Sequence, residues 1–349
     1  MKVVVAPDSF KECLGAGAVA RAVSTALREV DPAVEVVEMP LADGGEGTVE
    51  VLSAALGARM VRTTVTGPVG EPVVATYGVA EDAESSLAIL EVAAACGLPL
   101  VPPDRRNPLK TTTRGVGELI LDALERGCRR FIIGLGGTAT CDGGEGMFSV
   151  PGFREKAHGA VFRLLYDVDC PFVGPMGAAR VFGPQKGASP EEVEILEERM
   201  RHRAWTLFRE TGVDVSCLPG AGAAGGLGGA MSAVLGARLV SGADEVLDLT
   251  GFDRTVRDAG LILTGEGKSD SQTLSGKVPY GVLRRSGGLP VALVSGVICD
   301  DAALYDAGFR YLVPVSPPGL SREEAIDPAT ATENIRQAVI TFYRNFLTH

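Results

Sequence analysis

Aromatic residues make up only 5% of the 349 residues, although hydrophobic residues reach 46%. Val, Ile, Leu and Ala must therefore fill the interior, which suits sheets covered by helices on both faces. Histidine is scarcer still, with three in the chain. The seven cysteines (Cys13, Cys96, Cys128, Cys141, Cys170, Cys217 and Cys299) are odd in number and show no C-x-x-C spacing. That argues against a zinc site or a disulfide framework and for reduced thiols, the condition of a cytoplasmic protein. Basic charge is short as well: 33 Lys and Arg stand against 44 Asp and Glu, a net charge of -11. Nucleic acid and anionic membrane surfaces require a basic face, so neither is an expected partner. A small anionic substrate would then need a local cluster of cations.

Long apolar runs are also missing. Residues 215–237 carry no charge over a membrane-spanning length, but seven of them are glycine and one is Pro219. Such a segment gains little from lipid, and a tightly packed loop and helix is the expectation. The opening Met1-Lys2-Val3-Val4-Val5-Ala6-Pro7-Asp8 reads as a strand entering a loop, not as a signal peptide.

What is abundant is glycine. Gly (45) and Pro (21) together form about 19% of the chain, against a usual sum of about 12%. The excess lies in discrete loops, the mark of sites, not of disorder. The length exceeds the usual limit for one hydrophobic core, so two α/β lobes are expected.

The central loop runs from Phe131 to Met147. A short apolar strand, Phe131-Ile132-Ile133, is followed by six glycines between Gly134 and Gly146. Glycines in such a run let backbone N–H groups converge on a phosphate or carboxylate. Gly136, Gly137 and Thr138 are candidate anion contacts, while Thr138, Thr140, Asp142 and Glu145 offer the oxygen ligands that magnesium takes.

Other loops share this character. Lys2 to Ala6 is a strand delivering Pro7-Asp8-Ser9-Phe10-Lys11, and the helix after it carries Ala16, Val19, Ala20, Val23, Ala26 and Leu27 on one face. The strand Val34–Met39 delivers Pro40 to Thr48, an acidic glycine loop with Asp43, Gly44, Gly45 and Glu46. Asp43 and Glu46 equally suit capping of the following helix. An antiparallel hairpin is expected from Val61 to Val79. Strand Leu261-Ile262-Leu263 delivers Thr264-Gly265-Glu266-Gly267-Lys268, where Glu266 and Asp270 suit a metal and Lys268 and Lys277 a phosphate. Gly220, Gly222 and Gly225 match G-x-G-x-x-G, with Asp244 some twenty residues on, which keeps a nicotinamide reading open. Nothing is assigned between Phe148 and Tyr166.

Read together, Ala6 to Lys11, Ala42 to Thr48, Phe182 to Ala188, Pro219 to Gly228 and Thr264 to Gly267 resemble the bacterial glycerate kinase family of two α/β domains. The resemblance covers nearly the whole chain. It implies a flavodoxin-like lobe with a parallel sheet and a second α/β lobe inserted in the chain. These would be residues 1–75 with 255–349, and 76–254, with an active site in the cleft between them. It also implies ATP- and magnesium-dependent phosphorylation of D-glycerate, usually at the 2-hydroxyl, by a monomer or homodimer. Cys141 stands where the family has Asn, Glu12 where it has Gly, and residues 148–166 are shorter than the family's segment.

Under that reading Asp43 orients or deprotonates the glycerate hydroxyl, Lys11 neutralises transferring charge, and Glu266 with Asp270 or Asp142 holds magnesium. Asp8, Ser9, Gly44, Gly45, Gly265, Lys268 and Lys277 would contact substrate or nucleotide. Gly222, Gly225 and Gly226 would help cradle it, and Arg114 and Lys186 would bind the glycerate carboxylate. The alternatives are a nucleotide- or anion-binding protein that lost turnover through the altered 148–166 segment, and a nicotinamide-dependent oxidoreductase.

Overall fold

The computed structural model describes residues 1–81 and 86–348. Among them thirteen strands run in chain order: β1 Lys2–Val5, β2 Glu35–Glu38, β3 Arg59–Thr66, β4 Pro72–Ala80, β5 Leu87–Glu91, β6 Arg130–Gly134, β7 Val161–Tyr166, β8 Arg238–Ser241, β9 Leu261–Thr264, β10 Lys268–Ser269, β11 Val291–Ser295, β12 Val297–Ile298 and β13 Tyr311–Pro314. The chain forms an α/β protein of two compact units, Met1–Asp43 with Ala243–His349, and Gly44–Gly242.

The first unit holds a five-stranded sheet in the order β13-β11-β9-β1-β2, parallel throughout. Counted along the unit's own chain, that is 2-1-3-4-5, a doubly wound order in which ligands sit at the carboxyl ends of the strands. Its strands are short apolar runs because both faces are covered. Helix Ala16–Val30 buries Val19, Ala20, Val23, Ala26 and Leu27, the stripe read from the sequence. Helix Pro328–Leu347 begins at Asp327, whose carboxylate accepts the Thr330 amide at 2.8 Å, and it buries Ile335, Val339 and Tyr343 in the same core. Capping acid, proline at the first turn and an apolar stripe together fix that helix.

The second unit holds a six-stranded sheet in the order β3-β4-β5-β6-β7-β8. Strands β3, β4 and β5 pair antiparallel, and β5 to β8 pair parallel. Phe131 of β6 stacks on Phe162 of β7 at 4.8 Å in its core.

The crossing between units lies at Asp43–Gly44 and the return at Gly242–Ala243, not near residues 75 and 254. The reason is local. β3 pairs with β4 over eight residues, from Arg59 opposite Val79 to Thr66 opposite Pro72. Helix Thr48–Leu56 packs on β4 and β5. The hairpin and the helix before it therefore belong to the second sheet. Helix Gly242–Thr250 stays with the first unit, where Asp244 pairs with Arg284 at 2.9 Å.

The stretch after Met147, which shows no readable pattern, folds into two helices of one turn, Glu145–Phe148 and Phe153–Ala157, and then β7. Phe153, Phe162, Leu164 and Leu165 are fully buried there. Helices of four and five residues are too short to show a helical period, which hides the segment from sequence reading.

Candidate functional site

In the first unit the carboxyl ends of β1, β2 and β9 carry Asp8, Asp43 and Glu266. The β1 loop is tied to its neighbours through backbone: the Asp8 amide donates to Gly265 O at 2.9 Å, and the Leu41 amide donates to Pro7 O at 2.9 Å. Asp43 is 3% exposed and lies 3.4 Å from Lys11 Nζ, on a lysine side chain that is 57% exposed. A buried carboxylate facing a half-exposed cation is a site open to ligand on the cation's side. Asp8 is buried, and burial first, then the charges of Asp43 and Glu266, hold its carboxyl well above the usual carboxylate range; the Ser9 amide and Lys11 oppose the rise. The Ser9 hydroxyl beside it is buried and makes no hydrogen bond.

Glu266 is more committed. It accepts Thr273 Oγ1 at 2.6 Å and Ser269 Oγ at 3.2 Å on one oxygen, and Lys277 Nζ at 2.9 Å on the other. Lys277 therefore anchors this carboxylate. Lys268 pairs with Asp270 at 2.9 Å, and Asp270 also caps the following turn by accepting the Gln272 amide at 2.9 Å. Asp270 is a capping and pairing residue here. Among the described residues no three of His, Cys, Asp or Glu form a ready metal cage. Magnesium does not require one, since it takes one or two carboxylates along with nucleotide phosphates.

In the second unit the two glycine loops meet backbone to backbone. Gly44 has φ +94°, and the Gly136 amide donates to its carbonyl at 3.3 Å. A Cβ at Gly136 would stand 2.7 Å from Gly45 Cα. Gly137 O accepts the Leu98 amide at 2.8 Å. Between these loops lies Glu91, at the end of β5, which accepts the Val49 amide at 2.8 Å and so caps helix Thr48–Leu56 from outside. Gly47, at the N-cap position itself, has no side chain to cap the helix.

The surroundings of four groups of sequence candidates change how they read. Asp142 is half-buried and accepts the Thr113 amide and hydroxyl at 2.9 Å, the Gly144 amide at 3.0 Å and the Gly146 amide at 3.1 Å. Its oxygens are engaged by protein donors, so it staples the central loop. Lys186 is 7% exposed, donating to Thr138 Oγ1 at 3.1 Å and Thr140 O at 2.7 Å. It holds that loop from inside. Arg114 pairs with Glu118 one turn on at 2.9 Å.

The last change concerns Gly222, Gly225 and Gly226. Gly225 sits at φ +64° with its open side on the Thr140 carbonyl, Gly222 faces Pro171 O, and Gly226 faces Met200 and Phe172. Close packing on protein is sufficient to account for these glycines. They also follow a turn and not a strand, which removes the context a dinucleotide fingerprint requires. Sequence reading missed Glu91 and Arg203. Arg203 Nε donates to Gly143 O at 3.1 Å beside a cavity of 280 Å³ that also takes in Thr112, Asp142 and Glu145.

Comparison with known proteins adds a second line. A model described as the glycerate kinase family matches residues 3–157 and 148–347. The chain is 41% identical to a glycerate kinase of Bacillus subtilis, with 94% of each chain covered. It is 40% identical to a glycerate 2-kinase of Escherichia coli, covering 99% of this chain and all of the other. A crystal structure described as "putative glycerate kinase 2 from Salmonella typhimurium LT2" superposes with a TM-score of 0.85 at 38% identity, over 100% of this chain and 98% of that one.

Proposed function

Because the chain belongs to the glycerate kinase family, whose members are phosphotransferases, we propose that it transfers the γ-phosphoryl group of ATP to the 2-hydroxyl of D-glycerate with magnesium. The observation that supports this most is the buried Asp43 carboxylate facing the half-exposed Lys11 at 3.4 Å, at the carboxyl ends of parallel strands.

Phosphoryl transfer asks little covalent chemistry of a protein: in-line placement, neutralised charge, and a group to take the hydroxyl proton. Asp43 accepts that proton as the hydroxyl oxygen attacks phosphorus. Lys11 lies beside Asp43 and faces the negative charge on the transferring group. Asp8, with the unbonded Ser9 hydroxyl beside it, offers the hard oxygen donors that suit magnesium, while Glu266 fixes Lys277 at the edge of the same loops. When bound, magnesium would neutralise phosphate charge and orient the leaving diphosphate. In the second unit the loops that carry Gly44, Gly45 and Gly137 would receive an anion, the Gly136 amide being taken up by the Gly44 carbonyl.

The seven cysteines are free, in keeping with a cytoplasmic protein, and among the described residues no helix is long and apolar enough to cross a membrane. Chelation tests the cofactor assignment. ADP formation with D-glycerate should stop in excess chelator and return with added magnesium, and turnover that survives chelation would contradict it.

A further inference from the structure

Glu91 has no place in the sequence reading, yet it sits where the two glycine loops join. It is the last residue of β5 and lies opposite Gly134 of β6 in register. A Cβ at Gly134 would stand 3.5 Å from the Glu91 Cγ and against the Gly44 carbonyl. Its carboxylate accepts the Val49 amide at 2.8 Å, and the amides of Gly47 and Thr48 face it as well. One half-buried side chain thus grips the start of helix Thr48–Leu56 and the loop before it, while its own strand carries it beside the central loop.

We propose that Glu91 is a positioning residue of the kinase reaction: ionised, it holds the Gly44–Gly47 loop against the Gly134–Gly137 loop as one anion-receiving surface, and protonation loosens that hold. The proposal rests on the kinase reading above. Its geometry does not.

The direction of the response follows from the surroundings. Burial pushes the Glu91 carboxyl up to about 7, the Val49 amide pulls it back, and the charge of Glu46 in the loop adds to the rise. The groups facing it are that carboxylate and the three amides of Gly47, Thr48 and Val49. Above about pH 7 the ionised form makes charge-assisted bonds to the helix start; below it the proton removes both the charge and an acceptor site.

The test measures kcat and KM for ADP formation with D-glycerate from about pH 5.5 to about pH 8.5, in the wild-type enzyme and in Glu91→Gln. Wild-type kcat/KM should fall through an inflection near 7 as pH drops. Glu91→Gln should lose that inflection and sit about fivefold lower at the alkaline end, the worth of a lost cap. A variant that keeps the wild-type pH profile overturns the proposal. The Val49 amide in ¹H–¹⁵N spectra of the wild-type protein supplies a readout free of both folding defects and turnover: it should titrate near 7, and a flat shift overturns the proposed grip. Absence of wild-type turnover overturns the kinase reading and the catalytic half of this proposal, whereas the amide titration alone decides whether Glu91 holds the loop.

Discussion

Asp8 and Asp43 show how two aspartates on neighbouring strand ends acquire different tasks. Asp43 faces Lys11, whereas Asp8 is buried among acidic neighbours and is held well above the usual range. A carboxyl whose folded value is raised lends its full stability below its unfolded value and loses it as pH rises through the raised one. Asp8→Asn should therefore raise the melting temperature more at pH 8 than at pH 5, read by calorimetry; a gain larger at pH 5 would contradict the assigned burial. Asp43→Asn should lower kcat by about 10² to 10⁴-fold, the usual worth of a positioned proton acceptor, with melting temperature little changed because Lys11 is half exposed. Steady-state kinetics beside a thermal melt decides this, and near wild-type kcat would move the proton-accepting role elsewhere. Both aspartates were legible in the sequence, because each lies in the loop that an expected strand delivers. Their division of labour was not, since it depends on which charges the fold gathers around each.

Loops show a sharper divide between what sequence displays and what packing requires. The strands at residues 2–5, 35–38, 130–134 and 261–264 and the loops they deliver were readable from apolar runs ending in glycine and acid. The purpose of the glycines was not. Gly225 looks the same in sequence as a phosphate-loop glycine, but its open side is filled by the Thr140 carbonyl. Gly225→Ala should destabilise by about 2–4 kcal/mol through backbone strain and overlap, measured by denaturant unfolding, and a neutral result would reopen the cradle reading. Asp142 makes the same point with charge. Asp142→Ala strands the amides of Thr113, Gly144 and Gly146, and a loss of about 3 kcal/mol or more is expected at about 1–3 kcal/mol per stranded buried group. A loss of activity with unchanged stability would instead favour the metal-ligand role.

At the scale of the whole molecule, composition alone excluded much: few aromatics, excess acid and scattered thiols left an α/β protein for a small ligand. The order of loops along the chain then carried the family resemblance, which the comparisons support over nearly its full length. The unit boundary was misread because a hairpin signals a change of architecture, and the change had begun one helix earlier, at Gly44. The shortened stretch after Met147 was opaque, yet it supplies Phe153 and β7 to the core of the second unit. Turnover is the central claim, and one assay addresses it: ADP release from ATP and magnesium with D-glycerate, L-glycerate or no acceptor, and NMR of the product. ADP that depends on D-glycerate and a product phosphorylated at the 2-hydroxyl are the predicted results. ATP binding without acceptor-dependent ADP would contradict the account and leave a nucleotide-binding protein in its place.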